Sequence, residues 1–262
     1  RFINERSHAN IQKDGTYSVV PRMPGGVTTS AELRRIADVA DKYAIPMVKM
    51  TGGQRIDLLG VKKEDLPKVW KDLDMPTGHA YGKSIRTVKT CVGSEFCRFG
   101  TQNSTQMGID LEEMLFGMWS PHKVKLAVSG CPRNCAEAGI KDIGVIGVES
   151  GWEIYIAGNG GIKTEVAEFL CKVATREDVL EYSAAFLQLY REEAWYLDRT
   201  VHYVQRVGLD HIKKNVVEDA ARRKALYERL LFALKDYEDP WKKAVKQTPA
   251  EPLRRQYEMI KA

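Results

Sequence analysis

No stretch of the 262 residues is both apolar enough and long enough to span a bilayer, and no signal-peptide pattern opens the chain. Neither a membrane anchor nor a secretory route is expected, and the cytoplasm is the expected compartment. Cysteine is scarce, with five residues. That odd count argues against a disulfide framework, and in a reducing compartment clustered thiols usually hold metal. No G-x-G-x-x-G after a strand opens the chain, so an electron-input module that binds nucleotide is expected elsewhere. The first residue is Arg1 rather than Met, which suggests a portion of a longer polypeptide. Excess charge is small too: 40 basic against 35 acidic residues leave +5, mild for a nucleic-acid binder. The densest basic run, Arg222-Arg223-Lys224, reads as a solvated helix face.

What the chain does have is apolar content of 44%, enough for a buried core and two domains, and one concentrated stretch from Cys91 to Cys135. It reads C-V-G-S-E-F-C-R-F-G, a helical segment, then S-P-H-K-V-K-L-A-V-S-G-C-P-R-N-C. Five residues separate Cys91 from Cys97, three separate Cys131 from Cys135, and 33 lie between the pairs. Zinc sites built from four cysteines favour gaps of two to four residues. A five-residue gap fits better a loop around a larger iron–sulfur cluster held by four thiolates. Lys123 and Lys125 alternate on an expected strand, Lys123–Ser129, and so share a face. Arg86 leads the strand that ends at Cys91. A cluster supplies single electrons, and convergent cations imply an anion, so the pattern points to a reductase of a small oxyanion. Cys171, in the apolar stretch F-L-C-K-V, reads as a small buried hydrophobe.

With these motifs the chain resembles the sirohaem/[4Fe–4S] nitrite and sulfite reductase family, from about Ala9 to about Asp210. The text T-V-K-T-C-V-G-S-E-F-C-R-F-G-T-Q is most similar to the large-subunit branch of NAD(P)H-dependent assimilatory nitrite reductases. The resemblance implies that Cys91, Cys97, Cys131 and Cys135 are the cluster ligands, with Cys135 shared with the sirohaem iron. It implies catalytic roles for Arg22, in P-R-M-P-G-G, for Arg86, and for Lys123 and Lys125. Fixed cations of this kind stabilise anions in a water-poor cavity, guanidinium by fork-shaped hydrogen bonding and ammonium also by giving up protons. Cofactor contacts are implied for Lys49, Thr51, Gln54, Arg55, Asn159 and Gly160. Gly53 departs from relatives that carry a basic residue there, with Gln54 and Arg55 as compensation. The implied activity is reduction of nitrite to ammonium, with FAD and NAD(P)H in a flavin module outside this chain. Sulfite reduction is the alternative that Lys125 keeps open. An iron–sulfur electron-transfer module without its own catalysis, or a zinc protein, are the others. Relatives in one chain carry two copies of the repeated unit and this chain carries one, so a homodimer is expected.

The expected fold is α+β. A ferredoxin-like unit occupies residues 1–76, with a capped helix from Thr29 to about Tyr43, strands Pro46–Met50 and Arg55–Leu59, and helix Lys62–Leu73. A mixed-sheet domain occupies 77–215, with strands Ile85–Thr90, Lys123–Ser129, Ile143–Val148 and Glu153–Ile156, and helices near Asp110–Trp119, Arg176–Arg191 and Thr200–Val207. Residues 216–262 are an expected helical extension, including Asp219–Lys235, with a loosely held tail after Asp239.

Overall fold

The computed structural model describes residues 8–242, which divide into two units. The first comprises the chain up to Met23, Thr28–Gly82 and the segment from Tyr237; the second comprises Pro24–Val27 and Lys83–Asp236.

The first unit begins with β1 (Asn10–Ile11) and β2 (Tyr17–Val19), followed by α1 (Ser30–Lys42), β3 (Met47–Met50), β4 (Ile56–Val61) and α2 (Leu66–Leu73). The antiparallel sheet runs β1-β2-β4-β3. Insertion of β4 between β2 and β3 is the split βαβ arrangement of a ferredoxin-like unit. α1 starts where the sequence places it, because Thr29 Oγ1 accepts the Glu32 N–H at 3.1 Å while the Glu32 carboxylate accepts the Thr29 N–H at 2.9 Å. α1 buries Ile36 and Val39, and α2 buries Val69, Trp70 and Leu73, in one core with Tyr17, Val19, Leu58 and Val61. The first residues past Asp239 correct the expectation of a loose tail. Trp241 is 6% exposed, stacks on Trp70 at 6.1 Å between ring centroids, and donates its Nε1–H to the Met75 carbonyl at 3.0 Å. The remainder of the expected extension, past Lys242, lies outside the described residues.

The second unit contains β5 (Lys89–Thr90), α3 (Gly93–Phe96), α4 (Ser104–Met114), β6 (Leu126–Ser129), β7 (Ile143–Val148), β8 (Gly151–Ile156), β9 (Glu168–Val173), α5 (Arg176–Glu193), α6 (Thr200–Val207), α7 (Leu209–Lys213) and α8 (Ala220–Leu234). Its sheet, β5-β6-β7-β8-β9, is mixed: β5, β6 and β7 are parallel, and β8 and β9 add antiparallel. α8 packs along α5, and both bury apolar residues in the core beside the sheet.

Three details differ from the sequence reading. β9, which carries Cys171, is a strand where only an apolar stretch was expected; its burial does not follow a clean alternation. α4 begins well before Asp110, because Asn103 Oδ1 accepts the Gln106 N–H at 3.0 Å and caps it there. Gly108 inside that helix permits close packing on β5: a Cβ there would stand 2.2 Å from Thr90 Cγ2. The strands expected over Ile85–Thr90 and Lys123–Ser129 are shorter, and upstream of them Ile85 and Val124 pair only as an isolated parallel bridge. Lys123 and Lys125 therefore flank a single bridging residue just outside β6.

Candidate functional site

Because β5 and β6 pair in parallel, their carboxyl ends emerge on one edge of the sheet, and each end leads directly into a cysteine pair. Cys91 follows β5 and Cys131 follows β6 by way of Gly130. The two loops interlock through backbone. Thr101 and Gln102 N–H both donate to the Gly130 carbonyl, at 2.8 and 3.0 Å, and Ser94 N–H donates to the Gln102 carbonyl at 3.0 Å. A Cβ on Gly130 would stand 2.7 Å from Gln102 O and 3.0 Å from Gly93 Cα. The second loop closes through Asn134, in the left-handed region at φ 56°, whose N–H donates to the Cys131 carbonyl at 3.2 Å.

All four thiols are free: Cys131 is buried, Cys91 and Cys97 are half-buried, and Cys135 is exposed. Cys91 Sγ accepts the Gly130 N–H at 3.1 Å and lies 3.1 Å from Ser104 Oγ. Burial pushes this thiol up, but the hydrogen bonds from Ser104, Gly130 and Gly93 outweigh it and hold it below the ordinary thiol range. Among the described residues, no three His, Cys, Asp or Glu groups are gathered as one metal ion would require. Tetrahedral zinc needs its sulfurs about 2.3 Å from a single centre. Four free thiols on two interlocked loops, one already disposed toward thiolate, fit the wider demand of a [4Fe–4S] cluster.

Upstream of the second cysteine pair lies the cationic region. Lys125 Nζ donates to the Gly160 carbonyl at 3.1 Å, and the Lys125 N–H donates to Asp142 Oδ2 at 2.8 Å. Burial, and then the charges of Arg199 and Arg86, hold the Lys123 ammonium below the usual lysine range, with Asp142 opposing. Lys125 is lowered by burial, then by Lys123 and Arg199, again against Asp142. His122 Nδ1 accepts the Lys123 N–H at 2.8 Å, so the neutral ring carries its proton on Nε2; burial and Arg199 lower its pKa. Arg199 is buried, and its Nε has no hydrogen-bond acceptor among the described residues. A crowd of half-buried cations with an unsatisfied guanidinium donor fits an anionic ligand such as a carboxylated cofactor or a small oxyanion. Arg199 and Asp142 are absent from the sequence reading.

Among the other expected residues of this unit, Gly160 stands at the lysines, through its carbonyl. Asn159 closes its own loop: its N–H and C=O pair with Glu165, both at 2.9 Å, and its Nδ2 donates to the Lys163 carbonyl at 2.7 Å. The rest belong to the first unit. Arg22 is 3% exposed and donates Nε–H to the Thr77 carbonyl at 2.8 Å. Arg55 donates to the Gly78 carbonyl at 3.2 Å, and Thr51 Oγ1 donates to the Arg55 carbonyl at 3.0 Å. Gln54 closes that turn in the left-handed region at φ 57°, and Lys49 is exposed on β3.

Residues 81–224 match the nitrite and sulphite reductase 4Fe-4S domain, and residues 10–76 match the nitrite/sulfite reductase ferredoxin-like half domain. The chain is 64% identical to a nitrite reductase [NAD(P)H] of Bacillus subtilis over 92% of this chain and 30% of that protein. It is 42% identical to a nitrite reductase [NAD(P)H] large subunit of Klebsiella oxytoca, over 97% of this chain and 27% of that one. An assimilatory-type sulfite reductase of Nitratidesulfovibrio vulgaris is 33% identical over 82% of this chain and 99% of its own length. The chain thus spans under a third of the two nitrite reductases, at 30% and 27%. Among solved structures, dissimilatory sulfite reductase I superposes with a TM-score of 0.69 at 16% identity, covering 76% of this chain and 68% of that one, which shows a shared fold.

Proposed function

The chain belongs to the nitrite and sulphite reductase 4Fe-4S family, and on that premise we propose that, as part of a longer protein, it reduces nitrite to ammonium at a sirohaem coupled to a [4Fe–4S] cluster. The observation that carries this reading is the cationic region, where Lys123 and Lys125, half-buried and between the two cysteine pairs in sequence, are held below their usual pKa by burial and by the charge of buried Arg199. The identity of 64% to a nitrite reductase favours nitrite over sulfite. Sulfite is the second reading, supported by the full-length match to an assimilatory-type sulfite reductase.

Cys91, Cys97, Cys131 and Cys135 hold the cluster. Sirohaem and cluster, when bound, would relay the six electrons one at a time. The protein's own part is charge and protons. Nitrite, six electrons and eight protons give ammonium and two waters, so the site must hold a small anion and be rich in protons. Arg86 offers the anion a fixed guanidinium charge. Lys123 Nζ and Lys125 Nζ hold protons that burial makes easier to release, which suits a general acid. Lys49, Thr51, Gln54 and Arg55, with Arg22, answer the cofactor's carboxylates and the bound anion; Asn159 and Gly160 complete the loop at Lys125. Electrons originate at NAD(P)H in a flavin module of the longer protein, located in the cytoplasm. A homodimer supplies the second copy of the repeat; a strictly monomeric, fully active species in light scattering rejects that assembly.

The test is spectroscopic and kinetic. The loaded protein should show the visible bands of an iron isobacteriochlorin and reduce nitrite with reduced methyl viologen as donor, faster than it reduces sulfite. A broad iron–sulfur shoulder alone would leave an electron-transfer module, and faster sulfite turnover would select the second reading.

A further inference from the structure

Asp142 is fully buried and surrounded by donors. Arg199 Nη2 reaches both its oxygens, at 3.1 and 3.0 Å; the Thr200 hydroxyl donates to Oδ1; and the Lys125 N–H donates to Oδ2 at 2.8 Å. These hydrogen bonds replace the hydration that the buried carboxyl group loses. The same side chain therefore joins the backbone of one lysine to the guanidinium at the start of α6. Arg199 has one edge on Asp142, and its charge acts on His122, Lys123 and Lys125.

We propose that Arg199, clamped by Asp142, is a positioning residue for Lys123 and Lys125 in the reduction proposed above. The inference rests on that reading of function. Two physical effects support it. Asp142 pins the Lys125 backbone, which fixes where its side chain departs. Arg199 places a guanidinium charge whose effect on both lysines is to ease proton release. The charged groups facing Lys123 are Arg199, Arg86 and Asp142; those facing Lys125 are Lys123, Arg199, Asp142 and Lys141. For both lysines Arg199 outweighs Asp142. Removing Arg199 alone takes away a positive charge and leaves the opposing effect of Asp142 in place, so the lysines hold their protons to higher pH.

The experiment uses the intact, cofactor-loaded protein with Arg199→Met, with Arg199→Lys, and with the double variant Asp142→Asn/Arg199→Met. The double variant keeps an acceptor for the Lys125 N–H and leaves no unpaired buried charge. Competitive acetylation across pH, read residue by residue by mass spectrometry, gives the titration midpoints of Lys123 and Lys125 without any turnover. In Arg199→Met both midpoints should rise by about one pH unit, the ordinary size of a neighbouring-charge effect. They should rise by less in the double variant, because Asp142 goes too, and stay near the parent in Arg199→Lys. The alkaline limb of kcat for nitrite should move up in the same order, with kcat falling about tenfold in Arg199→Met. Unmoved midpoints overturn the proposal, as do moved midpoints with an unmoved kcat profile. Loss of fold and cofactor in both the single Met variant and the double variant also overturns it, by assigning the pair to folding. A parent protein that fails to reduce nitrite would refute the functional reading instead, and the midpoints would still report on the positioning.

Discussion

The cysteine loops are held by backbone packed against backbone, whereas in the cationic region Lys125 and Arg199 are joined by one buried carboxylate. Around the cysteines, Gly93, Gly100 and Gly130 meet each other's chain segments so closely that a Cβ on Gly100 would stand 2.7 Å from Gly93 C and Ser94 Cα. Around the lysines a neighbouring loop is packed as closely, since a Cβ on Gly158 would stand 2.6 Å from Lys141 N and O. What holds Lys125 and Arg199, however, is the side chain of Asp142, reached from Lys125, Arg199 and Thr200. The two restraints fail differently. A steric lock either closes or does not, because backbone has nowhere to move. An electrostatic one can be shifted by degrees, since each neighbouring charge adds its own increment. The division suits what each region is proposed to do: a cluster needs four thiolates at fixed positions, while proton donors need a tuned pKa.

The largest effect is expected from breaking the steric lock. Gly130→Ala places a methyl 2.7 Å from Gln102 O and 3.0 Å from Gly93 Cα, a cost on the order of 3 kcal/mol. The loops that carry Cys91 and Cys131 must then part. The expected outcome is a protein that loses cluster iron and unfolds at markedly lower denaturant. Parental iron content with parental stability would show that the glycine contacts are not what holds the loops.

Breaking the electrostatic restraint should do less to the structure and act on rate. Lys123→Ala should keep the cofactor spectrum and cut nitrite turnover by on the order of tenfold to a thousandfold, the scale for loss of one preorganised charge-stabilising group. Parental kinetics at subsaturating nitrite would remove Lys123 from the reaction. A variant that instead lost its iron would erase the distinction between the two regions.

How much of this was legible in the sequence follows the same division. The cysteine pairs could be read because their signal is local spacing, and the start of α1 because Thr29 and Glu32 cap it within three residues. The sheet was legible apart from β9, whose outward Phe169 and inward Leu170 and Cys171 break the two-residue period. Arg199 and Asp142 were not legible. They are 57 residues apart in the chain, and an isolated arginine in Y-L-D-R-T carries no spacing signal. Their pairing exists only once α6 has packed at the end of the sheet. Lys123 and Lys125 were found, but as members of a strand; the structure starts the strand at Leu126, and Lys125 is placed by Asp142 and Gly160 while the Lys123 N–H donates to His122 Nδ1.

The smallest effect sharpens the comparison by keeping the residue type and changing its surroundings. Cys171 is as buried as Cys131, yet it sits on β9 in the apolar core rather than on a glycine-locked loop. Burial pushes its thiol up to about 12, so at neutral pH it stays protonated, whereas hydrogen bonds hold Cys91 down. Metal binds the thiolate, and Cys171 does not offer one. Cys171→Ser should therefore leave iron content and the visible spectrum unchanged. It should still cost about 1–2 kcal/mol, because a hydroxyl replaces sulfur among apolar neighbours and must be desolvated. Denaturation melts alongside iron assays check both halves of the expectation. A loss of iron without a loss of stability would place Cys171 among the ligands and undo the contrast between a thiol that is buried and a thiol that is positioned.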